Sequence, residues 1–159
     1  GPRQSIVKVN NHERSRSIAY THIGTSSCLA IHANTTRIPR QLSVNYYAKS
    51  CPQLEQLVAS VTSQQFKQSP VSGPATIRLL FHDCFVGGCD ASILIASKPG
   101  SKELAEKDAE DNRDLKMEGF ETVRKAKELV ERKCPGVVSC ADILVIAARD
   151  YVHLVSCSC

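Results

Sequence analysis

From residue 52 onward the apolar positions of this chain recur at intervals of three and four, the repeat of an amphipathic helix. No stretch alternates convincingly with the period of a strand. Leu54, Leu57, Val58, Val61 and Phe66 form one stripe and predict a helix from Pro52 to Gln68. Pro52 suits the first helical position, where a missing amide costs no hydrogen bond. Ser69-Pro70 and Ser72-Gly73-Pro74 interrupt the pattern. A second stripe, Ile77, Leu80, Phe81 and Cys84, predicts a helix from Pro74 to Cys84, which Val86-Gly87-Gly88 breaks.

A third helix is predicted from Glu118 to Lys133, with Phe120, Val123, Ala126, Leu129 and Val130 on its inner face. Lys127 falls at the edge of that stripe, where its stem can pack while its charge stays in water. Cys134-Pro135-Gly136 stops the helix, and Ser139-Cys-Ala-Asp142 has capping-box spacing with Asp in place of Glu or Gln. The helix that follows, through Leu154, is apolar on most sides over Ile143–Ala148, which predicts a central, buried position. Three neighbouring helices offer it limited cover, so exposed apolar surface and self-association are expected. The fold class is all-α. Between the second and third helices, residues 97–117 are charged and interrupted by Pro99-Gly100, and they predict a long surface loop.

Composition changes this picture in two places. Of the net charge of +4, residues 1–40 carry +5 and residues 41–159 carry −1, so the basic balance belongs to an irregular N-terminal arm. That arm has neither a basic helix nor interleaved aromatics, which argues against a nucleic-acid role. No run approaches the roughly 18 apolar residues of a membrane helix. Eight cysteines, with an Asn34-Thr35-Thr36 sequon, point to an oxidising compartment. No apolar signal-peptide core opens the chain, so any secretory signal is expected to have been removed.

The densest chemistry lies in RLLFHDCFVGGCDAS, residues 78–92. Four apart on a helix, Arg78 and His82 leave the same face, with Phe81 beside them. A neutral imidazole can take up a proton and return it elsewhere, while a fixed cation stabilises negative charge developing on a reactant. The same residues also suit a surface pair or a satisfied core histidine. Asp83, Asp90 and Ser92 around Gly87-Gly88 supply hard oxygens of the kind calcium takes, without EF-hand spacing, and they equally suit an ordinary turn. Zinc held by His82, Cys84 and Cys89 lacks an evident fourth ligand.

This stretch resembles the distal haem-side signature of the secreted plant (class III) haem peroxidases. QLSVNYYAKSCP, AEKDAEDN and KCPGVVSCADILVIAARD are similar to further signatures of that family, in the same order, and the resemblance covers residues 41–154. It implies haem b, with hydrogen peroxide reduced and phenolic donors oxidised. His82 would move the proton between the peroxide oxygens, Arg78 would stabilise the departing oxygen, and Phe81 would wall the cavity. Asn112 would accept a hydrogen bond from the other nitrogen of His82, keeping the catalytic nitrogen basic. Calcium would be held by the side chains of Asp83, Asp90 and Ser92 and by the carbonyls of Asp83, Val86 and Gly88. Glu106 would tie the loop to that site. Cys51–Cys134 and Cys84–Cys89 would be disulfides, and the protein would be secreted to the cell exterior or wall, or to the vacuole.

The resemblance divides the chain into a basic arm (1–40), a distal peroxidase-like domain (41–154) and a non-family tail (155–159). The family's proximal half, with the histidine that ligates iron, is expected to be missing. His12, His22, His32 and His153 match no proximal motif, and Cys28, Cys140, Cys157 and Cys159 stay open to non-family pairs, free thiols or intermolecular links. The alternative function is a non-catalytic, calcium-stabilised binding or decoy module without stable haem.

Overall fold

The stripes become four helices. The computed structural model describes residues 6–7, 43–85, 87–97, 100, 102 and 104–156, and among them α1 spans Leu54–Gln68, α2 Ser72–Cys84, α3 Met117–Lys133 and α4 Cys140–Ser156. A two-residue antiparallel ladder joins β1 (Ile6–Val7) to β2 (Ser43–Val44). That ladder corrects the irregular reading at Ile6 and Val7; the remainder of residues 1–40 lies outside the described residues. No described helix is long and apolar enough to cross a membrane.

The helix boundaries shift for local reasons. α1 starts at Leu54, not Pro52, because residues 51–53 form a turn in which the Leu54 amide bonds the Cys51 carbonyl at 3.0 Å. Its end is closed by the Ser69 amide on the Gln65 carbonyl, and Pro70, with no amide to donate, follows. α2 starts two residues before Pro74, placing that proline in the first turn, where no intrahelical donor is needed. At the head of α4 the Asp142 amide donates to Ser139 Oγ at 3.0 Å, the cap that the spacing predicts. The Asp142 carboxylate accepts the hydroxyls of both Ser139 and the buried Tyr47, which fastens the turn after β2 to α4.

α1 and α2 each pack on both α3 and α4 and touch each other little. The core therefore lies between them, around Val58, Leu79, Val123, Val130, Ile143 and Leu144. Cover for α4 is better than its composition suggests: Ile143, Leu144, Ile146, Ala147 and Ala148 are all buried, and exposed apolar groups appear only near its end at Val152 and Val155. The Cys51–Cys134 disulfide ties the start of α1 to the end of α3 across 83 residues, a closure worth about 4 kcal/mol in chain entropy. Cys140 is disulfide-bonded as well.

Lys127 overturns its sequence reading. It is 5% exposed, and its ammonium donates to Glu131 Oε1 at 2.5 Å and to the Val138 carbonyl at 2.7 Å. Glu131 in turn accepts the Gly136 amide at 2.7 Å, so the pair staples the turn between α3 and α4. Burial works against the Glu131 carboxylate, but these two hydrogen bonds hold its proton affinity below the usual range.

At Gly119, α3 comes against the backbone of α2. A methyl there would lie 2.9 Å from the Ala75 carbonyl oxygen, which is backbone and cannot swing away. Gly119→Ala is expected to cost about 1–3 kcal/mol, read as a lower urea midpoint at constant m. An unchanged midpoint would show that the crossing can open freely. Lys127→Met should cost about 3 kcal/mol, because it strands a part-buried carboxylate and a buried carbonyl. In the Lys127→Met/Glu131→Leu double variant a clearly smaller loss is expected, and an equal one would place the cost in packing alone.

Candidate active site

α2 presents Arg78, Phe81 and His82 together, and a second segment reaches over to meet them. His82 Nδ1 lies 2.7 Å from Asn112 Oδ1, while Asn112 Nδ2 donates to the Glu106 carbonyl at 2.7 Å. That second bond fixes which way the amide points. With Nδ2 committed, the atom facing the ring is an acceptor, so Nδ1 of His82 is the donor, and the neutral ring takes the tautomer whose lone pair is on Nε2. The half-buried imidazole is thus presented as a base.

The loop holding Asn112 is more ordered than its charge suggests. Two 3-10 turns, Glu106–Asp108 and Glu110–Asn112, run in succession. Ser97 stitches the start of the loop to its middle, its amide donating to Asp108 Oδ2 at 2.7 Å and its hydroxyl accepting the Ala105 amide at 2.8 Å. Hydrogen bonds from the Ser97 hydroxyl and amide to Asp108 hold its carboxyl below the usual carboxylate range. Lys107 lies 4.6 Å over the Phe120 ring and anchors the loop on α3.

Arg78 is partnered in a way no sequence spacing suggested. Its Nη2 donates to both oxygens of Asp114, at 2.9 and 3.0 Å, from a residue 36 positions away. That hydrogen bond holds the Asp114 carboxyl below its ordinary range. Phe81 and Phe85 stack nearly parallel, centroids 4.7 Å apart, and remain 53% and 77% exposed. Such a flat, open aromatic surface beside the imidazole suits a planar, largely apolar group, which is how the residues present fit haem on this side.

The turn after α2 gathers the oxygen-bearing residues. Cys84 and Cys89 are disulfide-bonded across it, and Asp83 Oδ2 accepts the amide of Ala91, which holds the left-handed conformation at φ 66°. Asp90 Oδ1 accepts the Ser92 amide at 3.0 Å, and the Ser92 hydroxyl donates to Glu106 Oε2. Two carboxylate oxygens here, Asp83 Oδ1 and Glu106 Oε1, are buried without a hydrogen-bond partner. Burial, with the charges of Asp90 and Glu106 adding to it, pushes the Asp83 carboxyl up to about 6 despite the bond from Ala91. Orphaned, crowded carboxylate oxygens are what a hard cation would satisfy. Among the described residues no three His, Cys, Asp or Glu side chains form a metal cluster by themselves, so such an ion would also need backbone oxygens. Gly88 lies in this turn, and Val86 lies outside the described residues.

The sequence-predicted residues therefore fall into two joined groups, Arg78, His82 and Asn112 in one, and Asp83, Asp90, Ser92 and Glu106 in the other. Both disulfides implied by the family resemblance are present. Asp114 and Ser97 were missed; each acts across a loop, where residue spacing carries no signal.

A family model described as peroxidase matches residues 58–158. The chain is 65% identical to Peroxidase 19 of Arabidopsis thaliana over 115 residues, which is 72% of this chain and 33% of that protein. It is 59% identical to Peroxidase 55 of the same plant over a stretch covering 72% of this chain and 34% of the relative. The chain thus spans about a third of the length of the curated relatives it matches. On the strength of that family match and those identities, the chain belongs to the peroxidase family.

Proposed function

We propose that the protein serves a haem-dependent peroxidase reaction, reducing hydrogen peroxide by two electrons and oxidising phenolic donors one electron at a time. The observation that carries this reading is the relay from the Glu106 carbonyl through Asn112 to His82 Nδ1, which leaves Nε2 as a base on the face that also bears Arg78. Nε2 takes the proton from one peroxide oxygen and returns it to the other, which departs as water. Arg78 stabilises the negative charge on the departing oxygen before that proton arrives. Phe81 walls the cavity and, with Phe85, offers the surface on which the cofactor would rest. Haem b, when bound, supplies redox-active iron and the electrons that peroxide takes.

Calcium belongs to the same proposal. Asp83, Asp90 and Ser92, with the carbonyls of Asp83, Val86 and Gly88, would hold it, and Glu106 would join that turn to Asn112. The ion's role is positional: it neutralises carboxylates packed against the end of α2 and so keeps His82 in register with the loop. The paired cysteines support a secreted protein of the cell exterior, wall or vacuole.

The first test is a haem titration of the purified chain followed by peroxide. A saturable one-to-one Soret shift and a peroxide-dependent spectral change are expected. His82→Ala should slow that change at least about 100-fold while leaving the helical circular dichroism intact. An undiminished rate in the variant would remove the base assignment. For calcium, about one hundred times the dissociation constant should raise Tm by roughly 10 °C, and Asp90→Ala should lose most of that rise yet melt like the parent in chelator. A parent Tm indifferent to calcium would sink the ion site.

A further inference from the structure

The peroxidase reading gives Arg78 a task that its partner in the structure opposes. Charge developing on a reactant needs an available guanidinium, yet Arg78 already donates twice to the Asp114 carboxylate, at 2.9 and 3.0 Å. A carboxylate held this way offsets the charge of the cation and occupies Nη2, one of the three nitrogens through which an incoming anion could be held. Asp114 stands two residues beyond Asn112, so one short segment controls both members of the helix pair. Asn112 orients the ring of His82, and Asp114 holds Arg78.

Resting on that reading, we propose that Asp114 is a positioning residue that competes with the reactant for Arg78: closing the pair withholds the guanidinium and opening it delivers the cation. Exposure sets the strength of the competition. The two side chains are 44% and 69% exposed, so water screens the pair and solvates both partners when they part. Exposed pairs of this kind favour the closed form by at most about fivefold. A pair that weak biases Arg78 without locking it, which suits a group that must be released in each cycle. The lowered proton affinity of Asp114 keeps it charged, and the pair available, throughout the neutral range.

Formate, a carboxylate with no other recognition element, tests this in the full chain without haem, followed through the Arg78 side-chain nitrogen resonances. Asp114→Asn should bind formate about three- to fivefold more tightly than the parent, whereas Asp114→Glu should bind it as weakly as the parent does. Equal formate affinity in the parent and Asp114→Asn overturns the proposal. So does tightening in Asp114→Glu to the level of Asp114→Asn, since that would mean loop packing and not the carboxylate sets access. With haem bound, Asp114→Asn should react with peroxide faster by the same factor, and a slower reaction counts against the proposal. A parent chain with no haem-dependent reaction would count against the peroxidase reading alone, because the formate comparison needs no haem.

Discussion

The side-chain amide of Asn112 is the hinge on which the site turns. An amide presents a donor at one end and an acceptor at the other, and here the Glu106 carbonyl claims the donor. What remains for His82 is an acceptor, and this alone determines which ring nitrogen bears the proton. Were the amide free to rotate, either tautomer would be accommodated and the ring would have no fixed chemical sense. The order of the preceding loop is therefore part of the chemistry: the Ser97 stitch and the Lys107–Phe120 contact keep the Glu106 carbonyl where the amide needs it.

That hinge works only if α2 is held rigidly beneath it. α2 meets α3 at Gly119, where backbone lies against backbone, and rests on α4 near Tyr151, whose ring approaches Gly73. Tyr151 is fully buried, and its hydroxyl lies 3.0 Å from Thr122 Oγ1, so a polar contact fixes the spacing of α3 and α4 inside an apolar core. The arrangement places His82 and Arg78 on the exposed face of α2 and sets Leu79 and Asp83 inward. Adjacent residues thus serve different purposes, with His82 toward the open side and Asp83 beneath the turn.

The helices were legible as elements because apolar residues repeat with the period of the backbone, but their ends shifted where a turn or a cap decides the last residues. The inward face of α2 was misread: Ala75, Thr76, Leu79 and Asp83 are buried, whereas Phe81 of the expected stripe is 53% exposed, because α3 and α4 pack on the other side of that helix. Lys127 was misread for a specific reason. Periodicity places a side chain on a face but says nothing of acceptors arriving from elsewhere, and its carbonyl partner, Val138, comes from the turn beyond the helix. The relation of Arg78 to His82 was legible as helical spacing, but that of Arg78 to Asp114 was not, since loop residues have no period. The disulfide pairs were legible only through family resemblance; cysteine spacing would have allowed many pairings.

Two aspartates show what the fold does with identical chemistry. Asp114, exposed and bonded to a guanidinium, loses its proton more readily than usual, whereas Asp83, buried among other carboxylates, is pushed up to about 6. The fold therefore gathers carboxylates beneath the end of α2, and it leaves oxygens of Asp83 and Glu106 without a hydrogen-bond partner there. Such an arrangement disfavours itself at neutral pH unless a positive ion enters or a proton is retained. In the proposed reading the ion enters, and its influence on the base runs through Ser92, Glu106 and Asn112 and not through the imidazole. The same loop brings a carboxylate to Arg78 from the other side. Charge beneath the turn thus governs the geometry of the base, charge at the surface governs access to the cation, and the segment from Glu106 to Asp114 is where the two controls meet.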